Sequence, residues 1–412
     1  MGTPDFAVAS LRILVENKYD VVGVITMPDK PAGRGHKVQY SAVKQYALEQ
    51  NLKLLQPEKL KDEAFLEELS SLQADLQIVV AFRMLPEVVW DMPKYGTFNL
   101  HASLLPQYRG AAPINWAIIN GDKETGATTF FLTHEIDTGK IIQQEKITIA
   151  ETDNAGIVHD RLMEMGAKLV KKTVDMLLEG KIDAVDQVQF IHPDMELKAA
   201  PKIFKETCQI DLSWGVERVY NFVRGLSPAY SAWAYFFCIG SSPVVVKIID
   251  SEKVFSEKKI WKYGDLEIDN HRLMISCKGG YINVLSIQFP DKKKLTTVDF
   301  LRGYRNKKFS SFCFDCNHAK YNILNTLNSS PRKTLSYDVI KDEIIKSLKS
   351  QDEKLIKQVN LKIAEYLKDN SVLLKSKYID KLINSDKTID FKITTKGIDF
   401  FYDNFSTSIY NL

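Results

Sequence analysis

The sequence runs to 412 residues, enough for about two to three domains, and its 45% hydrophobic content is ordinary for globular proteins. Its 55 Lys and Arg against 52 Asp and Glu leave a net charge of +3, too little to name a class of partner. No apolar run reaches the roughly 18 residues of a membrane span, and five cysteines, an odd number, imply no disulfide framework.

Asp5 is placed to cap a first helix that turns Phe6, Leu11 and Leu14 inward. Residues 20–27 (DVVGVITM) read as a buried strand. Residues 28–37 hold two prolines, two glycines and the basic side chains Lys30, Arg34, His36 and Lys37, which makes a loop. A helix is expected over 41–51, a short strand over 52–55 and an amphipathic helix over 61–72. Residues 75–81 (DLQIVVA) become continuously apolar, as a strand of a parallel sheet does. They end in the turn Phe82, Arg83, Met84, Leu85, Pro86.

The stretch that carries chemistry starts at residue 97. In a strand over 97–101, Asn99 and His101 alternate with apolar residues and share one face. Ser103, Leu104, Leu105 and Pro106 form a stiff turn, and residues 109–113 (RGAAP) open a helix. A second strand over 127–133 delivers Asp137 in the loop that follows. An amide donor, an imidazole and a carboxylate thus arrive near strand ends. That set suits attack of an amine on a carbonyl: Asn99 and protonated His101 hold a developing oxyanion, and Asp137 orients His101 and helps move a proton.

Residues 140–149 alternate as a strand. Thr152 and Asp153 are placed to cap a long helix ending near 179, with Val158, Leu162, Met165 and Leu169 as its buried stripe. His134 and His159 read as ordinary histidines, with a pocket-edge role for His134, beside the Asp137 loop, as the lesser alternative. Strands alternating with helices through this half predict an α/β fold with an open, doubly wound, mostly parallel sheet. Ligands of such sheets bind outside the carboxyl ends of the strands. Polar, proline-containing sequence over 181–200 reads as a linker. Residues 201–304 predict a helix over 216–224 and short strands over 232–237, 244–249, 273–276 and 281–288, the pattern of a small β-barrel.

Beyond Tyr304 the composition changes. The tail carries 19 basic against 13 acidic residues, a balance of +6, whereas the rest has 55 − 19 = 36 against 52 − 13 = 39. It holds a single glycine, Gly397, and a single proline, Pro331. Cys313, Cys316 and His318 make only half of a zinc pattern, so free thiols are expected. Helices over 322–327, 337–348 and 352–367, with a strand and short helix over 390–401, resemble a winged helix; an accidentally fused reading frame explains the same α-rich tail equally well.

The Asn99-x-His101 pair, the turn from Ser103 to Pro106 and the downstream Asp137 together resemble the formyltransferase family that uses 10-formyltetrahydrofolate. Residues 1–304 share this resemblance. The flanking sequence narrows it to members that act on methionyl initiator tRNA. The resemblance implies a Rossmann-like catalytic domain over 1–180 and an OB-like, tRNA-binding barrel over 201–304. It implies Asn99, His101 and Asp137 as catalytic residues. Folate would be held by Ser103, Leu104, Leu105 and Pro106 and by Phe82, Arg83, Met84 and Leu85. The 28–37 loop resembles the one this family inserts at the tRNA acceptor end, which makes Arg34, Lys30 and Lys37 tRNA contacts. Lys258, Lys259 and Lys292 to Lys294 are further candidates for phosphate contact.

The expected co-substrate is 10-formyltetrahydrofolate with no metal, and the expected enzyme is a cytoplasmic monomer without a secretory signal. In relatives an apolar strand precedes the first turn, so the resemblance predicts a start upstream of Met1; native protein sequenced from Met1 would contradict this. Two other readings share these residues. One is a different formyltransferase or formyl-folate hydrolase, which has no use for the 28–37 loop. The other is an inactive relative whose tail binds nucleic acid.

Overall fold

The computed structural model describes residues 1–32, 37–238, 244–257, 263–269 and 271–303, and the strand segments 309–312, 334–336, 379–383 and 389–393. The chain divides into two compact units, Met1–Cys208 with Arg224–Tyr230, and Gln209–Val223 with Ser231–Leu412.

In the first unit, strand β1 (Val24–Ile25) precedes a hairpin of β2 (Lys30–Ala32) and β3 (Lys37–Gln39), and β1 pairs in parallel with β4 (Leu54–Leu55). Strand β5 (Gln77–Val80) pairs in parallel with β6 (Thr97–His101). On its other side β6 runs antiparallel to β8 (Glu124–Phe131), which pairs with β9 (Ile141–Thr148). The sheet is therefore parallel up to β6 and antiparallel beyond it. Strand β7 (Arg109–Gly110) pairs with β10 (Ala199–Ala200). The stretch 181–200, read from its composition as a linker, thus lies in the first unit.

The strand expected over 20–27 is reduced to Val24 and Ile25. Only these two find a ladder partner, Leu54 and Leu55. On their other side stand Met1 and Gly2: the Gly2 N–H donates to the Ile25 carbonyl at 3.0 Å, and the Val80 N–H donates to that of Met1 at 2.9 Å. A cavity of about 60 Å³ lies beside them, lined in part by Leu11, Leu14, Val24 and Ile78.

Helix α1 (Asp5–Glu16) is followed by α2 (Ala42–Glu49), α3 (Glu63–Ser71), the short α4 (Glu87–Trp90) and α5 (Pro113–Ile119). Helix α6 (Ala155–Leu178) is the longest and packs Val158, Leu162, Leu169, Val170 and Val174 into the main core with Phe98 and Leu100 of β6. The caps differ from those expected. Asp5 falls inside the first turn of α1, after an N-cap at Pro4, and accepts only from the N–H of Phe6. Asn154, not Thr152 or Asp153, caps α6, because its extended backbone sets Oδ1 3.0 Å from the Ile157 N–H. Asp153 turns back to the Ala150 N–H and pairs with Arg161.

The second unit includes most of α7 (Val216–Leu226) and an antiparallel sheet of β11 (Ala232–Cys238), β12 (Val244–Phe255), β13 (Leu266–Ile268), β14 (Leu273–Cys277), β15 (Gly280–Gln288) and β17 (Phe309–Phe312), in the order β13-β14-β15-β12-β11-β17. Strand β16 (Leu295–Thr296) adds to β15 and leads into α8 (Thr297–Gly303). Val246, Ile248, Ile275, Ile282 and Val284 are buried by the alternation the sequence shows. Strands β18 (Thr334–Ser336), β19 (Ile379–Ile383) and β20 (Ile389–Ile393) form an antiparallel sheet with β20 central. The helices expected over 322–327, 337–348 and 352–367, and the Cys313, Cys316, His318 group, lie outside the described residues. Among the described residues no helix is long and apolar enough to cross a membrane.

Candidate active site

Strand β6 turns Phe98 and Leu100 into the core and sets Asn99 and His101 on the opposite face, as its alternation predicts. Both line a cavity of about 860 Å³, within the range of small-molecule sites. Phe82, Arg83, Met84 and Leu85 line it too, as do the loop from Leu132 to Asp137 and, elsewhere on the wall, Phe6, Ile114, His159 and Tyr230.

His101 is 7% exposed and packs edge-on against Phe130. Its Nε2 lies 2.9 Å from the carbonyl of Tyr108, which can only accept, so Nε2 carries a proton. Its Nδ1 faces the Asp137 carboxylate at 3.8 Å. Asp137 reaches this position in the loop between β8 and β9, in a left-handed backbone (φ 56°), where its Oδ2 accepts from the Gly110 N–H at 2.9 Å. The Oδ1 atom of Asn99 is buried and has no hydrogen-bond partner within the protein.

Tyr108 is a component that sequence reasoning missed. Its backbone is left-handed (φ 61°), and its N–H donates to the Lys198 carbonyl at 2.7 Å. Its hydroxyl donates to Asp122 at 2.5 Å and accepts from Asn120 at 3.1 Å, and Lys198 pairs with Asp122 at 2.6 Å. Burial, reinforced by the Asp122 hydrogen bond, pushes the phenol well above its ordinary pKa, so it stays a donor. This anchoring fixes the carbonyl that fixes His101. Nothing in the local sequence announces it, since its partners come from Asp122 and Lys198.

The residues Ser103 to Pro106 are not among those that line the cavity. Ser103 is 0% and Leu105 1% exposed. The Thr128 hydroxyl donates to the Ser103 carbonyl and accepts from the Leu105 N–H, and Gln144 donates to the Leu105 carbonyl at 2.7 Å. These backbone groups are consumed internally. Arg83 donates to the Pro57 and Glu58 carbonyls and is committed there. Met84 is 72% exposed, whereas Leu85 is buried.

His134 and His159, both read as ordinary, border the cavity. His134 approaches Glu87 at 3.3 Å and packs edge-on against Trp90. His159 packs edge-on against Phe6 and sits 3.0 Å from Asp160. Lys30 and Lys37 belong to the β2–β3 hairpin. Arg34 lies outside the described residues. Among the described residues, no cluster of three or more His, Cys, Asp or Glu side chains could hold a metal ion.

The chain that builds this sheet and cavity is a formyl transferase by family. Residues 1–174 match the formyl transferase family and residues 202–305 match the formyl transferase C-terminal domain. The chain is 61% identical over 306 residues to the methionyl-tRNA formyltransferase of Bacteroides thetaiotaomicron, covering 74% of this chain and 94% of that protein. It is 60% identical over 307 residues to the same enzyme of Parabacteroides distasonis and 50% over 303 to that of Flavobacterium johnsoniae, with the same coverage. The chain belongs to the methionyl-tRNA formyltransferase family.

Proposed function

We propose that the protein transfers the formyl group of 10-formyltetrahydrofolate to the α-amine of methionyl initiator tRNA, giving N-formylmethionyl-tRNA for translation initiation. One observation carries this reading most directly. Asn99 and His101 stand on one strand face with the Asp137 carboxylate 3.8 Å from the imidazole, around a cavity large enough for a folate head.

The residues divide the work by chemistry. The folate supplies the formyl carbon. As the amine nitrogen bonds to that carbon, negative charge grows on the formyl oxygen. The Asn99 amide and the His101 imidazolium are the donors for it. The unpaired Asn99 Oδ1 is the acceptor for an N–H of the incoming amine and orients it. Asp137 faces His101 Nδ1, takes the proton the amine loses and, as the carbon–nitrogen bond to the folate breaks, passes it to that nitrogen. No metal is needed.

Phe82, Met84 and Leu85 form the folate wall, with Ser103 to Pro106 as its support. The loop bearing Lys30, Arg34 and Lys37 takes the tRNA acceptor end. The catalytic part is residues 1–180 with 181–200 packed on it. Residues 201–304 serve as an OB-like tRNA-binding domain, and 305–412 as an appended segment. The residues that line the cavity all belong to the first unit, which suits action as a monomer, and the tRNA substrate suits a place in the cytoplasm.

The test is formylation of charged initiator tRNA by the purified chain, read by mass of the released aminoacyl group. Turnover of small amines or of water without tRNA would favour a different formyl-folate enzyme. A folded, inactive chain that still shifts tRNA on a gel would favour a binding protein.

A further inference from the structure

We propose that Gln187 is a positioning residue for this reaction. Its carboxamide clamps the Asp137 loop to Arg109 and so sets the catalytic carboxylate beside His101. The inference rests on the catalytic reading of Asp137 above. Gln187 lies between the two family-matched regions, 1–174 and 202–305, in the stretch whose composition reads as a linker.

The clamp is built from both ends of one amide. Gln187 is 1% exposed. Its Nε2 donates to the carbonyl of Asp137 at 2.9 Å and to that of Gly139 at 2.8 Å. Its Oε1 accepts from Arg109 Nε at 3.1 Å and Nη2 at 2.6 Å. An amide offers two donors and two main acceptor sites, so every one is used. The orientation is also forced, because carbonyls only accept and a guanidinium only donates. Arg109 precedes Gly110, whose N–H holds the Asp137 carboxylate. Gln187 therefore ties together the loop that carries the carboxylate and the strand that receives it.

The approach of Gln187 is fixed in turn. Val185 and Ile141 exchange two backbone hydrogen bonds, each 2.8 Å, which adds the segment to the start of β9. Asp186 caps the one-turn helix Gln187–Phe190 through the Val188 N–H at 3.0 Å. Phe190 packs on Leu105, Phe130 and Ile141 beneath the site. The loop needs such a restraint. Asp137 holds a left-handed backbone that an L-residue adopts at a cost, and the hydrogen bond to its own carbonyl is what holds it there.

The isosteric substitution Gln187→Glu is the sharpest test. It keeps an acceptor for Arg109 but turns an oxygen toward two carbonyl oxygens. We expect kcat for methionyl-tRNA to fall roughly 10- to 100-fold, as for a misplacement of about 1 Å at a catalytic group. KM for tRNA and for the folate should stay within about threefold, since the clamp touches neither. Asp137→Ala and the double variant D137A/Q187E should have the same kcat within about threefold, because both remove one function. In the unliganded protein, exchange of the Gly110 amide hydrogen should accelerate at least about tenfold in Q187E, as in D137A.

Wild-type kcat in Q187E, losses that multiply in the double variant, or a defect confined to KM would each overturn the proposal. If Q187E does not fold, Gln187→Ala carries the same comparisons without a buried charge. If the wild-type chain does not formylate tRNA, the functional reading fails while the Gly110 exchange experiment still decides whether the clamp exists.

Discussion

His101 Nδ1 stands 3.8 Å from the Asp137 carboxylate, longer than a hydrogen bond, and the nearer carboxylate oxygen is already held by the Gly110 N–H at 2.9 Å. The two groups are thus separately anchored, His101 by the Tyr108 carbonyl and Asp137 by Gly110. Tightening on substrate entry is usual for such pairs. His101→Ala and Asp137→Ala should each lower kcat about 100- to 1,000-fold, the cost of losing one oxyanion donor or proton acceptor. Neither should change the Kd for tRNA more than about twofold, measured by filter binding. A large loss of affinity with kcat retained would remove both from the chemistry.

Arg34, between β2 and β3 in sequence, is proposed to meet the tRNA acceptor end. Its fork of donors suits phosphate and base edges. Arg34→Ala should raise KM for methionyl-tRNA about tenfold and leave KM for the folate unaltered. The loss should shrink as salt rises, because part of the interaction is charge neutralisation. An unchanged kcat/KM for tRNA defeats the assignment.

How far the site was readable depends on how local its determinants are. Strand β6 matches its expected range residue for residue, because Phe98 and Leu100 alternate with Asn99 and His101 and the two faces meet different surroundings. The Rossmann-like α/β class of the first region and the β-rich character of the second followed from the same periodicities, together with the family resemblance. Tyr108 and Gln187 were invisible for the opposite reason. Arg109 meets Gln187 across 78 residues, and Gln187 meets Asp137 across 50, with no pattern in between. The turn from Ser103 to Pro106 was read as ligand-facing because the motif marks the family. Its backbone is in fact taken up by Thr128 and Gln144, which belong to other strands. The caps of α1 and α6 missed by one residue or two, as boundaries set by one side chain's backbone conformation will.

Gly139 closes the loop that carries Asp137 under a steric demand. A Cβ built there would sit 1.7 Å from the Phe131 carbonyl oxygen, a backbone atom that has no freedom to withdraw. Gly139→Ala should therefore displace the loop, with a stability loss of about 1–3 kcal/mol, in the range of other overpacked sites. Because the Gly139 carbonyl is also held by Gln187, kcat should fall with it. Urea melts and single-turnover formylation on the same preparation check both. A variant with wild-type stability and rate would show that the strands yield more easily than this geometry implies.

Cys277 supplies a pH test of the second unit. Its side chain is 0% exposed at the end of β14, and its thiol lies 3.5 Å from the Gly280 carbonyl. Burial pushes the thiol from 9.0 up to about 12. In the unfolded chain it titrates near the ordinary value. Below that value both states hold the proton and the group contributes no pH dependence. Between 9.0 and about 12 the unfolded chain loses the proton and the folded one keeps it, so stability falls as pH rises. By pH 10 the loss should reach about 1.4 kcal/mol relative to pH 8. Comparing urea melts of wild type and Cys277→Ala isolates it, since all other titrations are shared. The variant should gain on the wild type by that amount between the two pH values, and native Cys277 should resist iodoacetamide at pH 8. A difference that does not change with pH, together with rapid native alkylation, would place the thiol in water.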